Sequence, residues 1–307
     1  MHWRDILTIG LNHHLLYADR SADPEAHCES LLRILADERL EAVDLWIPDQ
    51  PAVAEREIQA CLTSGKRIIY NVGSRQGKPS PVPASLDPKE QAYAIAFYLD
   101  ELSRADAVHA AKIVTNSGPD NPARRADALA ALRVFYRRIC AAAVPPTTPV
   151  LIEPTDRDVS KRKLLGPSAE TAAFCHHLQS EGVPNLASMV DMGHVPLLGE
   201  TLAQAFADSV PFIGHVHLGN CILRNQNHPM FGDKHVPWGT PGGEYGSEGI
   251  VEFFRQAFAC GYLGSGGRPT VSFEMRPDPD LGPERSLDRF FAEFEEAWQQ
   301  FQQERCA

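Results

Sequence analysis

The sequence predicts a (β/α)8 TIM barrel, built as a single domain over residues 1–307. Three observations predict it. Short apolar runs alternate eight times with amphipathic stretches, the pattern of βα units on a parallel sheet. Right-handed crossovers let eight such units close on themselves, and a chain of 307 residues is of a size that such barrels reach. No linker or shift in composition divides the chain. Two long segments, residues 73–86 and 219–246, follow the third and seventh apolar runs, where loops at the mouth of a barrel would emerge.

The first unit has an apolar run at residues 6–10 and a helix starting near Asp23, where Asp23-Pro24 sets a capping carboxylate before a proline at the first helical position. The second run covers residues 42–47, with its helix from near Ala52. The third covers 67–72; a loop containing Gly77, Pro79, Pro81 and Pro83 precedes a helix at Asp87-Pro88, a repeat of the first start signal. The fourth covers 110–115, and Asn121-Pro122 opens its helix with an amide cap. The fifth and sixth runs, 149–153 and 186–191, lead to helices from Ser168 and near Leu202. The seventh, 212–217, enters a stretch rich in Gly, Pro, Asn and aromatics before a helix near Glu248. The eighth covers 270–274, and a last helix falls within 283–304.

Composition narrows the function classes. With 43% hydrophobic and 22% charged residues, this is an ordinary globular composition. A formal charge of −11 argues against a nucleic-acid partner, since Lys161-Arg162-Lys163 is the only basic cluster. No apolar run is long enough to cross a membrane, and no basic segment leads into an apolar one at the N-terminus. The seven Cys are scattered without Cys-x-x-Cys pairs; Cys28, Cys61, Cys140, Cys175 and Cys260 read as small thiols in helices. The expectation is a cytoplasmic protein with a small, neutral or weakly charged substrate, and no nucleic-acid or membrane partner.

Four apolar runs end in a residue able to bind a divalent cation: Leu151-Ile152-Glu153, Met189-Val190-Asp191 with His194 one turn later, Val216-His217, and Ser272-Phe273-Glu274. Two Glu, one Asp and one His form an oxygen-rich set suited to Mn²⁺, Co²⁺, Mg²⁺ or Zn²⁺. In Gly214-His215-Val216-His217 both imidazoles point to one face of the strand. His217 is nearer the rim; His215 sits a layer deeper, as a hydrogen-bonded core histidine. Arg276 is placed to orient Glu274 or to bind substrate oxygens. Trp46, Asn71, Asn116, Trp238 and the His13-His14 pair lie at or after run ends, where they would line a pocket.

These residues resemble the xylose isomerase-like barrel superfamily, which includes ketose 3-epimerases, inosose isomerases and dehydratases, 3-dehydroshikimate dehydratases and the apurinic endonucleases. The resemblance implies that Glu153, Asp191, His217 and Glu274 hold one divalent metal, Mn²⁺ before Co²⁺, Mg²⁺ or Zn²⁺. It implies a substrate contact for His194, the role of this histidine in the epimerases. Asp233-Lys234-His235 is similar to the endonucleases' Asp-x-His, so His194, Asp233 and His235 are expected either to touch substrate or to bind a second metal. The second and third runs end in Trp46-Ile47-Pro48-Asp49 and Tyr70-Asn71, without the endonucleases' histidines, which leaves phosphodiester cleavage a remote alternative. The ketose epimerases' second glutamate, six residues after the strand-five ligand, is here Val159, and Arg224 is one position away from their arginine. These departures, with the loop at 225–233, point to a different or larger substrate.

The resulting expectation is a metal-dependent sugar or cyclitol isomerase/epimerase. Glu153 and Glu274 would be its acid/base pair, removing a proton alpha to a carbonyl to form an enediolate that the metal stabilises. Trp46, Asn116, His194, Asp233, His235 and Arg276 would contact the substrate. The alternative is a lyase or dehydratase of the same fold, eliminating from a 3-keto-glycoside, an inosose or a dehydroshikimate-like compound. A homo-oligomer would let the long mouth loops share residues across copies.

Overall fold

The computed structural model describes residues 2–73 and 78–306. Its strands β1 (Thr8–Asn12), β2 (Ala42–Leu45), β3 (Arg67–Asn71), β4 (Lys112–Thr115), β5 (Val150–Ile152), β6 (Leu186–Asp191), β7 (Ile213–Leu218) and β8 (Thr270–Phe273) form one closed parallel barrel in chain order. Closure is made by β1 on β8, in the register Gly10↔Ser272.

Helices fill the crossovers: α1 (His13–Leu16), α2 (Pro24–Ala36), α3 (Pro51–Thr63), α4 (Pro88–Ala107), α5 (Arg125–Ala142), α6 (Ser168–Ser180), α7 (Leu202–Ser209), α8 (Ser247–Ala259) and α9 (Gly282–Cys306). The carboxylate-proline starts behave as expected: Asp23 accepts from the N–H groups of Glu25 and Ala26, and Asp87 from that of Lys89. Asn121 does not, because its side chain makes no capping bond; Pro122–Arg124 is only a 3-10 turn, and α5 starts after it.

The first strand is the clearest correction. The run at residues 6–10 suggested a strand there, yet β1 covers Thr8–Asn12. A 3-10 turn at Trp3–Asp5 takes up the preceding chain, and the N–H groups of Ile6 and Leu7 both donate to the carbonyl of Trp3. Both side chains are buried without belonging to the sheet, so apolar character alone misplaced the boundary. The short α1 was likewise not foreseen.

Most of the core lies between sheet and helices; a smaller cluster of Ala42, Ile69, Val114, Leu151 and Met189 fills one side of the barrel interior. The other side is polar, with Asp44, His215, Thr270 and Ser272 all fully buried. Two glycines make room for this filling. A Cβ on Gly214 would sit 2.4 Å from Leu151 Cδ2, and one on Gly10 would sit 2.4 Å from Ser272 Oγ. Cys28, Cys61, Cys140 and Cys175 are buried, and Cys260 is half-buried. Among the described residues, no helix is long and apolar enough to cross a membrane. Gly77 of the loop after β3 lies outside the described residues.

Candidate metal centre

Parallel strands in a barrel present their C-terminal ends at one rim, and four of them deliver the expected donors there. Glu153 directly follows β5, Asp191 ends β6, His217 is in β7 and Glu274 directly follows β8. Each offers one ligand atom, and the four atoms all lie within 4.8 Å of one another. His217 Nδ1 is 2.8 Å from Glu274 Oε2 and 3.4 Å from Glu153 Oε1.

In Asp191, His217 and Glu274 the remaining atom is occupied, which aims the other inward. Asp191 Oδ1 accepts from the Gly193 N–H at 2.7 Å, and Glu274 Oε1 accepts from Asn12 Nδ2 at 2.7 Å. His217 Nε2 is tied to Asp44 Oδ1 at 2.9 Å. Left over, buried and without a hydrogen-bond partner are Asp191 Oδ2, His217 Nδ1 and Glu274 Oε2. Buried polar atoms without partners are costly, and three of them converging on one point fit a bound cation. Three carboxylates and one imidazole suit a hard or borderline divalent ion.

Electrostatics agree. Burial pushes the Asp191 carboxyl up to about 7, against the opposing pull of His194. Burial would raise Glu274 too, but the imidazoles of His217 and His235 hold it well below the usual carboxylate range. For His217, burial lowers the pKa, yet the Glu274 carboxylate, with Asp44 and Glu153 beside the ring, outweighs it and raises the ring well above an ordinary histidine. The carboxylates thus demand a positive charge at this point.

Next to the four donors lies a second cluster. His194 donates from Nδ1 to the Pro154 carbonyl at 3.0 Å, and its Nε2 lies 3.0 Å from Asp191 Oδ2 and 3.2 Å from Asp233 Oδ2. His235 Nε2 meets Asp233 Oδ1 at 2.9 Å, and Lys161 Nζ meets Asp233 Oδ2 at 3.1 Å. Asp191, His194 and His235 have ligand atoms within 4.8 Å of one another, and Asp233 lies against both rings. The expected trio of His194, Asp233 and His235 is therefore together, with Asp233 bridging the two rings.

A cavity of about 760 Å³ opens above the centre. Glu153, His217 and Glu274 line its floor, and Asn12, His14, Trp46, Asn71 and Asn116 stand among its walls. Asn116 Oδ1 also accepts from Lys163 Nζ at 3.2 Å. Trp46 packs on His27, ring centroids 4.4 Å apart.

Six residues expected to face substrate or the pocket do not line it: His194, Asp233 and His235 stay in the second cluster, and Trp238, His13 and Arg276 lie elsewhere. Trp238 is fully buried and packs edge-on against Phe273 and Phe290, its size serving the core beneath the long loop. His13 turns away from His14 and meets Ser30 Oγ at 2.9 Å. Arg276 lies off the cavity wall, with its backbone N–H donating to the His235 carbonyl at 2.7 Å.

Sequence reasoning missed Asp44, Asn12 and the loop-building Asp156. An acidic residue inside the apolar run Ala42–Leu45 was the available signal for Asp44. His215 behaves as expected, its Nδ1 close to the carbonyl and hydroxyl of Thr270 and its Nε2 to Asp44.

Residues 47–292 match the family model described as xylose isomerase-like TIM barrel. The chain belongs to this family. Solved barrels with the same architecture include a D-tagatose 3-epimerase-like protein (13% identity, TM-score 0.69, covering 96% of this chain and 99% of that one). A 3-keto-D-glucoside 4-epimerase from E. coli aligns at 14% identity and TM-score 0.65, covering 97% and 99%. A family 2 AP endonuclease from Brucella melitensis aligns at 15% identity and TM-score 0.64, covering 92% and 98%. At such identities these neighbours establish the shared fold. No curated protein matches the chain by sequence.

Proposed function

We propose that this xylose isomerase-like barrel is a divalent-metal-dependent sugar or cyclitol isomerase/epimerase. One observation carries the reading: two glutamates, Glu153 and Glu274, reach the same four-donor centre from strands three apart and share the floor of one cavity. A divalent ion held by Glu153, Asp191, His217 and Glu274 would supply an electrophile for the negative charge that develops on a substrate carbonyl oxygen.

The side chains supply the rest. Glu274, oriented by Asn12 and lining the cavity floor, is placed to take a proton from the carbon beside the carbonyl. Glu153, arriving from another strand, is placed to return it, on the opposite face for epimerisation or at the neighbouring carbon for isomerisation. His194, fixed through Nδ1 by the Pro154 carbonyl, keeps Nε2 between Asp191 and Asp233 beside the centre, where a substrate oxygen reaching it would take the place of one of these contacts. Amides of Asn12, Asn71 and Asn116 can donate to or accept from hydroxyl groups, and Trp46 offers an apolar face; both suit a neutral polyol. The solved neighbours named as epimerases support the same class.

A second reading is supported by the cavity, whose 760 Å³ lies in the upper part of the range of about 300–1,000 Å³ for small-molecule sites and leaves room for a substituent beyond one sugar ring. With a leaving group beta to the abstracted proton, the same acid/base pair would eliminate from a keto-glycoside.

An NMR screen of ketoses, inososes and 3-keto-glycosides in D₂O with Mn²⁺, Co²⁺ or Mg²⁺, read after chelating the metal, separates these. Solvent deuterium at the carbon beside the carbonyl, with a stereo- or positional isomer formed, is the expected result. Release of the aglycone would move the assignment to the lyase. Phosphodiester cleavage with no exchange into any carbonyl compound would sink both.

A further inference from the structure

The four donors explain the rim of the barrel but not the polar side of its interior. Lys112, at the N-terminal end of β4, reaches across to strands β7 and β8, where Nζ donates to the Gly214 carbonyl at 2.5 Å and to Thr270 Oγ1 at 2.6 Å. Thr270 Oγ1 is 2.7 Å from His215 Nδ1, His215 Nε2 is 3.2 Å from Asp44 Oδ1, and Asp44 Oδ1 is 2.9 Å from His217 Nε2. Ser272 donates its hydroxyl to Asp44 Oδ2. The side chains of Asp44, His215 and His217 are at most 1% exposed, so water does not compete for these bonds.

With His215 neutral, the hydrogens in this column have one consistent arrangement. An ammonium group has three donors and no acceptor, so Thr270 Oγ1 accepts from Lys112. The Thr270 hydroxyl hydrogen is then free to go to His215 Nδ1. With Nδ1 accepting, Nε2 carries the His215 proton and donates it to Asp44. The ionised Asp44 accepts as well from His217 Nε2–H, which leaves Nδ1 as the nitrogen facing Glu153 and Glu274, the position that gives up its proton when an ion binds there. The opposite tautomer of His215 would turn a nitrogen lone pair on the Asp44 carboxylate at 3.2 Å, a buried acceptor-acceptor contact. The Thr270 carbonyl, its alternative partner, already accepts from the Tyr262 hydroxyl at 2.7 Å.

We infer that Lys112, Thr270, His215 and Asp44 are positioning residues which together set the tautomer and ring orientation of His217, so that Nδ1 is the metal-binding nitrogen. The inference rests on the metal-centre reading above. It assigns the barrel interior a task that the rim residues cannot perform, because a carboxylate behind a ligating imidazole fixes both which nitrogen binds and how strongly.

The test measures metal binding directly. Asp44→Asn keeps the shape and one accepting oxygen but removes the charge, and calorimetric titration of the chelator-stripped protein with Mn²⁺ should show about 10–100-fold weaker binding. Thr270→Val, which cuts the column further from the ion, should weaken it in the same direction and by less. Melting of the metal-free variants is the control, since a purely structural role would lower Tm without moving Kd. In Zn²⁺-loaded protein labelled with ¹⁵N-histidine, His217 should show a protonated Nε2 and a metal-bound Nδ1; this needs no variant of the column and stands if Asp44→Asn fails to fold. Binding through Nε2, or an Asp44→Asn Kd within about twofold of wild type, would overturn the inference while leaving the metal-centre reading intact. No uptake of Mn²⁺ or Zn²⁺ by the wild type would sink both.

Discussion

Glu274 accepts a hydrogen bond from Asn12 on one oxygen and faces His217 and His235 with the other, so its carboxylate is oriented and charged at the same time. Glu153 is less enclosed, with a side chain 20% exposed to the cavity, and has the freedom to deliver a proton. Replacing either by Gln preserves volume and removes the ability to shuttle a proton. Glu153→Gln and Glu274→Gln should each lower kcat by about 10²–10⁴-fold, with far-UV circular dichroism unchanged. Wild-type kcat in either variant would rule out the acid/base assignment. These two, with Asp191 and His217, were legible in the sequence because each stands where an apolar run stops, a place that a core residue has no reason to occupy. Asp44 was not legible, because it lies inside the run Ala42–Leu45 and its partners come from strands far along the chain. Trp238 misled for the opposite reason: a large aromatic in a mouth loop looks like a pocket wall, yet burial against Phe273 and Phe290 contributes more to the fold than to the cavity.

At the scale of elements, the connection from β5 to α6 shows how a loop without regular structure is made rigid. Asp156 is fully buried, and its carboxylate accepts from three successive backbone N–H groups, those of Val159, Ser160 and Lys161. The turn it builds carries Lys161 to Asp233 of the long β7–α8 loop and Lys163 to Asn116 of the β4–α5 loop, so one carboxylate ties three mouth segments together. Hydrogen bonds to a buried charge contribute about 1.5–3 kcal/mol each before losses are shared, so Asp156→Ala should cost roughly 2–4 kcal/mol in urea unfolding. It should also raise KM more than it lowers kcat, since the cavity walls loosen while Glu153 and Glu274 stay on their strands. An unchanged urea midpoint would show that the loop holds without this brace. Sequence reading anticipated a long loop after β7 but gave Asp156 no such task, since hydrogen bonds to neighbouring backbone leave no periodic trace. The displaced β1 has a related cause: hydrophobic periodicity marks what is buried, and Ile6 and Leu7 are buried by a turn beneath the barrel rather than by the sheet.

For the whole molecule, closing eight strands into a ring forces side chains of like charge together at the rim. Glu153, Asp191 and Glu274 sit within 4.8 Å of one another in a protein already carrying a formal charge of −11. Unfolding disperses these carboxylates, so a divalent cation held by the proposed centre would bind the folded barrel far better than the open chain and would stabilise the fold by mass action. At a Mn²⁺ concentration of 100 Kd the gain is about 2.7 kcal/mol, which for a chain of this size corresponds to a rise in Tm of roughly 5 °C. Mg²⁺ should give a smaller rise at equal concentration, as its order of affinity for a mixed nitrogen-oxygen set is lower. Asp191→Ala removes a buried donor of the proposed centre that takes no part in the proposed acid/base pair, so it separates binding from chemistry: its Tm should no longer respond to Mn²⁺. Differential scanning fluorimetry of the chelator-stripped protein across a Mn²⁺ series reads this directly. A wild-type Tm that stays level up to millimolar Mn²⁺ would mean that the four donors gather for a reason other than a cation, and the carboxylates would then have to be neutralised by His217, His194 and His235 alone.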